Sequence, residues 1–129
     1  MDREKLLDLY KKYELEKSDV YKHQHYVIIT RQGIEKIAAK ENIAISYEVV
    51  KCEPNFAVVK AYAKKEEVQI ETFGSALKGA NYKDGNCNSW YVMEMAEKRA
   101  LSRSVLKLTG FYELGVFGED ESDDFKRSN

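Results

Sequence analysis

The sequence predicts an α+β domain in which an antiparallel three-stranded β-meander packs against a long C-terminal helix. Three alternating strand candidates follow one another along the chain: residues 43–51, residues 56–65, and a third that begins at residue 67 or 68 and ends at residue 74. Only short turns separate them, and short links join antiparallel neighbours. A helical repeat of apolar residues then begins at Asn88 or Ser89 and ends at Thr109, before a glycine. Residues 21–30 are rich in β-forming side chains and offer an additional N-terminal strand.

The composition fits one intracellular domain. The chain has 129 residues, of which 43% are hydrophobic and 12% aromatic, enough for a single core without disulfides or metal. Cys52 and Cys87 are too few for a disulfide scaffold and lack the spacing of a zinc motif. The charged N-terminus differs from a secretory signal, and no apolar run approaches the length of a membrane span. We therefore expect a cytoplasmic protein without a membrane partner.

The segments before the meander predict two helices. Residues 2–13 carry leucines and tyrosines at helical spacing, which predicts an amphipathic helix within an N-terminal segment, residues 1–20, that packs on the domain or on a neighbouring subunit. The single domain is expected to span residues 21–117. Inside it, Thr30 caps a second helix that ends near Glu41.

The second strand of the meander separates two kinds of side chain. One face holds Phe56, Val58, Lys60, Tyr62 and Lys64, and the other holds Ala57, Val59, Ala61 and Ala63. The alanine face suits close packing of a helix. The aromatic and lysine face, to which the first strand adds Tyr47 and Lys51, is open to two interpretations. It is either a half-solvated amphipathic surface or a platform that follows a phosphate backbone and stacks bases.

The final helix carries a buried stripe and a basic row. The stripe is predicted to run from Trp90 to Leu108 at steps of three and four residues. Arg99, Arg103 and Lys107 are spaced by four residues and form the basic row. Neighbouring glutamates or water satisfy these cations in one interpretation. In the other they line a phosphate-binding groove, to which Lys78 and Lys83 of the preceding loop contribute.

Net charge is unevenly distributed along the chain. The formal value is -1, from 21 basic and 22 acidic side chains. Residues 119–129 hold five of the acidic and two of the basic side chains, so the remainder has a net charge of +2. Residues 118–129 are expected to form a disordered acidic tail, which is either solvating or competes with nucleic acid for the basic groove.

Signals for catalysis are weak. The sequence contains no Walker loop, no GxGxxG motif and no cluster of carboxylates suited to two metal ions. We therefore expect a protein that is not an enzyme and that uses no cofactor.

The order of three segments, VVKAYA, VQIETFGSA and AEKRALSRSVLKLTG, resembles the annealing domain of Rad-fifty-two-like recombination proteins, including phage single-strand annealing proteins. The resemblance covers roughly residues 26–112. It implies an oligomeric ring or filament that binds single-stranded DNA and anneals complementary strands in recombination and repair, without ATP.

The resemblance also implies roles for individual residues. Arg103 matches the groove-facing basic residue of the family's final helix, with Arg99 and Lys107 on the same row, and Arg31 lies where the family often has another groove arginine. Ser102 departs from the family, which commonly has lysine before that arginine. The acidic tail is similar to those of bacterial single-stranded-DNA-binding proteins and offers a contact for such a protein or another recombination factor.

Three other classes of protein remain open. The α-β-β-β-α order also fits a double-stranded-RNA-binding module, although such domains have a lysine cluster where this chain has Asn88, Ser89 and Trp90. A second class is an oligomeric interaction domain that binds no nucleic acid. The third is a small hydrolase that uses Cys87 as nucleophile.

Overall fold

The computed structural model describes residues 2–79, 85–87 and 89–121. Its helices and strands are α1 (Arg3–Lys12), β1 (Val20–His23), β2 (Tyr26–Ile29), α2 (Arg31–Lys40), β3 (Ala44–Glu53), β4 (Phe56–Lys65), β5 (Val68–Leu77), α3 (Val92–Leu108) and β6 (Val116–Gly118). The strands form two three-stranded sheets, with orders β1-β2-β6 and β3-β4-β5. Helix α3 packs against strands of both sheets. The predicted α+β class, with a C-terminal helix on a meander, is confirmed.

The β3-β4-β5 sheet is the predicted antiparallel meander. Pro54 and Asn55 form the first turn, and Glu66, with a φ of 55°, forms part of the second. A register shift at Val50 marks a bulge in β3. Strand β5 extends to Leu77, three residues further than the sequence predicts, because its last residues continue the pairing with β4.

The β1-β2-β6 sheet has three strands, whereas the sequence predicts only one additional strand outside the meander. Residues 20–29 form an antiparallel hairpin, and β6 pairs with β2 in parallel. Strand β6 has only three residues, too few to show an alternating pattern, so the sequence carried no signal for it. The buried side chains of Ile29, Val116 and Phe111 join this sheet to the main core cluster.

Helix α1 packs on the core of its own chain. Leu6 is buried within the main core cluster, and so is Tyr13 just beyond the end of the helix. The ring centroid of Tyr13 is 5.9 Å from that of Phe111. The Tyr13 hydroxyl donates a hydrogen bond of 2.5 Å to Glu41 at the end of α2. The amphipathic pattern left open whether this helix packs on its own domain or on a neighbouring subunit. These contacts show that α1 packs on its own domain.

Helix α3 approaches the meander closely because small residues face each other. The predicted alanine face of β4 is fully buried, as are Ala96 and Ala100 of the helix. Gly74 allows the closest approach, since a Cβ atom there would be 2.1 Å from the carbonyl oxygen of Ala96. Thr72 adds a hydrogen bond of 2.9 Å from its hydroxyl to the carbonyl oxygen of Ala100.

The start of α3 differs from the prediction. The helix begins at Val92, because the Ser89 hydroxyl accepts a hydrogen bond from the Tyr91 amide and holds a turn before it. Trp90 was predicted to head the buried stripe, which is wrong: it lies outside the helix and is 66% exposed. Ala96, Ala100 and Val105 of that stripe are buried as predicted.

Candidate nucleic-acid interface

The side of the meander that points away from α3, called here the outer face, holds the predicted platform residues. Lys60, Tyr62 and Lys64 alternate along β4 opposite to the buried alanines. The Lys60 ammonium lies 5.1 Å from the ring centroid of Tyr62 and 5.6 Å from that of Phe73 on β5. Phe73 is an exposed aromatic ring, so this face presents cations and aromatic rings together.

Acidic side chains partly neutralise the outer face. Glu71 is 3.3 Å from the Lys60 ammonium, and the Tyr62 hydroxyl donates a hydrogen bond of 2.8 Å to Glu48. That hydrogen bond is the first cause of the raised pKa of Tyr62. The outer face therefore has mixed charge, and its affinity for an anion depends on groups beyond it.

Two further residues were predicted for this face, and the register separates them. Lys51 pairs with Val58 and lies on the outer face as predicted. Tyr47 pairs with the buried Ala61, which places it on the side of α3, so its prediction is wrong. The bulge at Val50 is the physical reason, because an extra residue reverses the alternation along β3. Burial and then the charge of Glu97 on α3 raise the pKa of Tyr47.

Arg99 is an interior residue, only 4% exposed. Its guanidinium donates to three carbonyl oxygens, those of Asp120 at 3.0 Å, Ser75 at 2.7 Å and Asn86 at 2.7 Å. The prediction that Arg99 is part of an exposed basic row is therefore wrong. Its bonds instead join α3, β5 and the C-terminal segment.

Arg103 and Lys107 lie at the surface, unlike Arg99. Arg103 has a side chain 38% exposed, donates to the carbonyl oxygen of Phe73 at 3.1 Å and is 3.4 Å from a carboxylate oxygen of Glu121. Lys107 is exposed, with its ammonium 5.3 Å from the ring centroid of Tyr112. Only the last two residues of the predicted row share an accessible surface.

A polar cleft lies between the edge of β5 and α3. Its volume is about 120 Å³, and it is lined by Phe73, Ser75, Asn86, Arg99, Arg103 and Glu121. Asn86 closes the β5 edge further, because its side-chain oxygen accepts a 2.7 Å hydrogen bond from the Leu77 amide. The cleft thus brings cationic side chains beside an exposed aromatic ring.

The first residues of the expected acidic tail dock on arginines. Gly118 belongs to β6, and residues 119–121, called here the acidic segment, form a short 3-10 turn in which Asp120 and Glu121 are buried. The expectation of disorder from residue 118 is wrong for residues 118–121, because ion pairing and burial compensate their charge. Residues 122–129 lie outside the described residues.

Arg31 meets this acidic segment at the start of α2. Its guanidinium donates to Asp120 at 3.1 Å, and its backbone amide donates to Glu119 at 3.2 Å. The hydrogen bond to Asp120 is the main cause of the raised pKa of Arg31. Arg31, Arg99 and Arg103 are therefore brought together around one anionic segment, and we call them the arginine cluster.

Trp90 and Tyr91 form an exposed aromatic pair that the sequence interpretation missed. They are 66% and 68% exposed, and the Lys78 ammonium lies 4.4 Å from the Trp90 ring centroid. The sequence does show two adjacent aromatic residues directly after Ser89, a residue type that often caps a helix. Trp90 also fits the apolar repeat of the final helix, and for that reason it was assigned to the buried stripe. Lys83, predicted to act with Lys78, lies outside the described residues.

Ser102 occupies the position where the resembled family commonly has lysine. Its side chain is buried against β6, and a Cβ atom on Gly118 would be 2.7 Å from the Ser102 Cβ. A long cation at position 102 would meet β6 rather than the cleft. The departure from the family pattern is thus matched to the packing of this chain.

Comparison of the chain with protein-family models, with curated proteins and with solved structures finds no match. The resemblance to annealing proteins therefore stays a prediction. Within residues 2–79, 85–87 and 89–121, no helix has the length and apolar character needed to cross a bilayer.

Proposed function

We propose that the chain binds single-stranded DNA and anneals complementary strands as an ATP-independent homo-oligomer. The observation that carries this proposal is that two partly exposed arginines from different helices, Arg31 and Arg103, both contact carboxylates of one anionic segment. Guanidinium groups bind carboxylates and phosphates through the same pattern of donors. A cluster that holds carboxylates is therefore suited to the phosphates of a nucleic acid.

Exposed aromatic rings beside cations support single strands as the ligand. Phe73 lies at the cleft beside Lys60, and Trp90 lies beside Lys78. Unpaired bases stack on such rings, with a contribution of about 1–3 kcal/mol per base. Contacts to phosphates and ring faces leave the Watson–Crick edges free to pair, and they carry no sequence preference.

The edge of β3 supports self-association. Among the described strands β3 pairs only with β4, and its residues Val49 and Val50 are both exposed. An unpaired strand edge with apolar side chains is suited to pairing with another copy of the same strand. Because residues 1–118 have a net charge of only +2, several subunits together would bind a strand far more tightly than one.

Fluorescence anisotropy with labelled oligothymidine tests the proposal. We expect salt-sensitive binding that Arg103→Gln weakens, because the variant removes a surface cation at the cleft. Arg3→Gln is the matched control, since it removes one exposed arginine from α1. Equal binding by Arg103→Gln and the control would contradict the proposal, and so would failure of the wild type to accelerate annealing of complementary oligonucleotides.

The same assay separates the other classes of protein. Preference for duplex RNA over oligothymidine would indicate the double-stranded-RNA-binding class. No retention of either nucleic acid at low salt, combined with a stable oligomer, would indicate an interaction domain. The ion pairs on the outer face are the observation that favours this last class.

A further inference from the structure

We propose that the acidic segment, residues 119–121, is an intramolecular competitor that occupies the arginine cluster and leaves it when single-stranded DNA binds. This inference rests on the proposed function and adds its regulation. The same guanidinium groups that would bind phosphate are engaged by the segment: Asp120 receives the Arg31 hydrogen bond, and Glu121 is paired with Arg103.

The contacts of the acidic segment resemble those of a bound strand. Carboxylates of Asp120 and Glu121 lie at two arginines from different helices, and the Asp120 carbonyl oxygen accepts from Arg99. The segment therefore presents successive anionic and polar oxygens to three arginines, and its Glu121 also lines the cleft. A phosphodiester backbone presents the same kind of acceptors at successive positions.

The strength of these ion pairs permits exchange. The side chains of Arg31 and Arg103 are 44% and 38% exposed, so water and salt reach the cationic partner of each pair. The carboxylates of Asp120 and Glu121 are only 5% and 7% exposed, but release returns them to water, and an incoming phosphate keeps each arginine paired. A strand that contacts several subunits at once gains from multivalency, which a three-residue segment lacks.

The anchor of the segment limits what must move. Val116 is fully buried in the core, and Gly118 is packed against Ser102. The residues before the segment are thus held by apolar packing and by pairing with β2. Release changes the chain from residue 119 onward and breaks the hydrogen bond from Arg99 to the Asp120 carbonyl oxygen, while the bonds of Arg99 to Ser75 and Asn86 hold its side chain in place.

The direct test neutralises the acidic segment without removing its hydrogen-bond acceptors. We expect the double variant Asp120→Asn and Glu121→Gln to bind oligothymidine about three- to tenfold more tightly than the wild type, since two carboxylates no longer compete with phosphates for the arginines. The matched control is Asp8→Asn with Glu113→Gln, which makes the same change in net charge at exposed positions outside the segment.

The outcomes separate this inference from the proposed function. Tighter binding by the segment variant than by the control supports the inference. Equal affinities of the two double variants would overturn it and leave the proposed function standing. No binding by any of the three proteins would instead overturn the proposed function.

A second measurement on the wild type covers the case in which the segment variant fails to fold. Amide hydrogen exchange of residues 119–121 is followed with and without oligothymidine. Faster exchange of these amides with the oligonucleotide bound supports release of the segment. Unchanged or slower exchange at a DNA concentration that saturates binding would overturn the inference.

Discussion

Gly74 of β5 lies so close to Ala96 of α3 that a Cβ atom at position 74 would be 2.1 Å from the Ala96 carbonyl oxygen. The same Cβ would be 2.5 Å from the amide nitrogen of Ala100. This contact fixes the distance between the helix and the β5 edge, and it thereby allows Arg103 to reach the carbonyl oxygen of Phe73.

Gly74→Ala is therefore expected to destabilise the domain. Both of these neighbours are backbone atoms, so the helix must shift, and overpacking of this kind costs about 1–3 kcal/mol or more. Chemical denaturation measures the loss in the free energy of unfolding. Ser75→Ala is the control, because the neighbouring Ser75 side chain is exposed. Equal stabilities of the two variants would show that the helix is not held at this distance.

Arg99 and Arg103 are expected to differ in their effects on stability. Arg99→Met removes the donor of one buried and two partly buried hydrogen bonds to carbonyl oxygens, and we expect a loss of about 2–4 kcal/mol in the free energy of unfolding. Arg103→Gln, at a partly exposed side chain, is expected to cost less than about 1 kcal/mol. Chemical denaturation of both variants checks this, and a smaller loss for Arg99→Met than for Arg103→Gln would contradict it.

Trp90→Ala is expected to weaken DNA binding without affecting stability. The ring is mostly exposed, so its removal should change the free energy of unfolding by less than about 0.5 kcal/mol. Loss of one stacked base corresponds to about a fivefold or larger drop in affinity. Anisotropy titration and thermal melting measure the two effects. Val68→Ala, at another exposed apolar residue, is the control, and equal affinities of the two variants would exclude Trp90 from the interface.

Acidification is expected to destabilise the domain through Glu41. A hydrogen bond from Tyr13 is the largest cause of its lowered pKa, against an opposing effect of burial, and Lys12 and Lys65 lower it further. The unfolded chain then binds the proton at a higher pH than the folded chain does. Stability is complete above the ordinary pKa of 4.5 and falls as the pH drops through the folded value.

Urea denaturation between about pH 6 and about pH 3 measures this loss. Glu41→Gln removes the titrating group and is expected to flatten the dependence on pH. Part of the dependence on pH is expected to remain in this variant, because the pKa of Asp19 is also lowered despite burial. A variant with the same pH dependence as the wild type would show that Glu41 does not contribute.

Val49→Lys is expected to reduce the oligomer to smaller species. A lysine on the exposed edge strand introduces repulsion between two copies of β3 and hinders their pairing. Native mass spectrometry measures the change. Val68→Lys adds the same charge at an exposed position on β5 and is the control. If both variants keep the wild-type mass, assembly does not use β3.

The meander was predictable because each of its strands alternates over about ten residues, long enough to define both register and face. The surroundings of the basic row could not be predicted from the sequence, and the reason is geometrical. Each step of four residues rotates a helical side chain by about 40°, so Arg99, Arg103 and Lys107 drift around α3. Arg99 lies on the part of α3 that the sheets cover, whereas Lys107 lies on a part that is open to solvent. The spacing of residues along a helix does not show which of them the neighbouring sheets bury.

Side chains bind the backbone groups at the free edge of β5, and this limits the symmetry with which subunits can associate. Its edge carbonyl oxygens at Phe73 and Ser75 accept from Arg103 and Arg99, and its Leu77 amide donates to Asn86. The second half of the β5 edge is therefore capped, and β3 is the better edge of this sheet for adding a strand. Pairing of β3 with β3 relates two subunits by a two-fold axis and stops growth at a dimer. A closed ring of such subunits needs a second, heterologous contact surface elsewhere on each subunit.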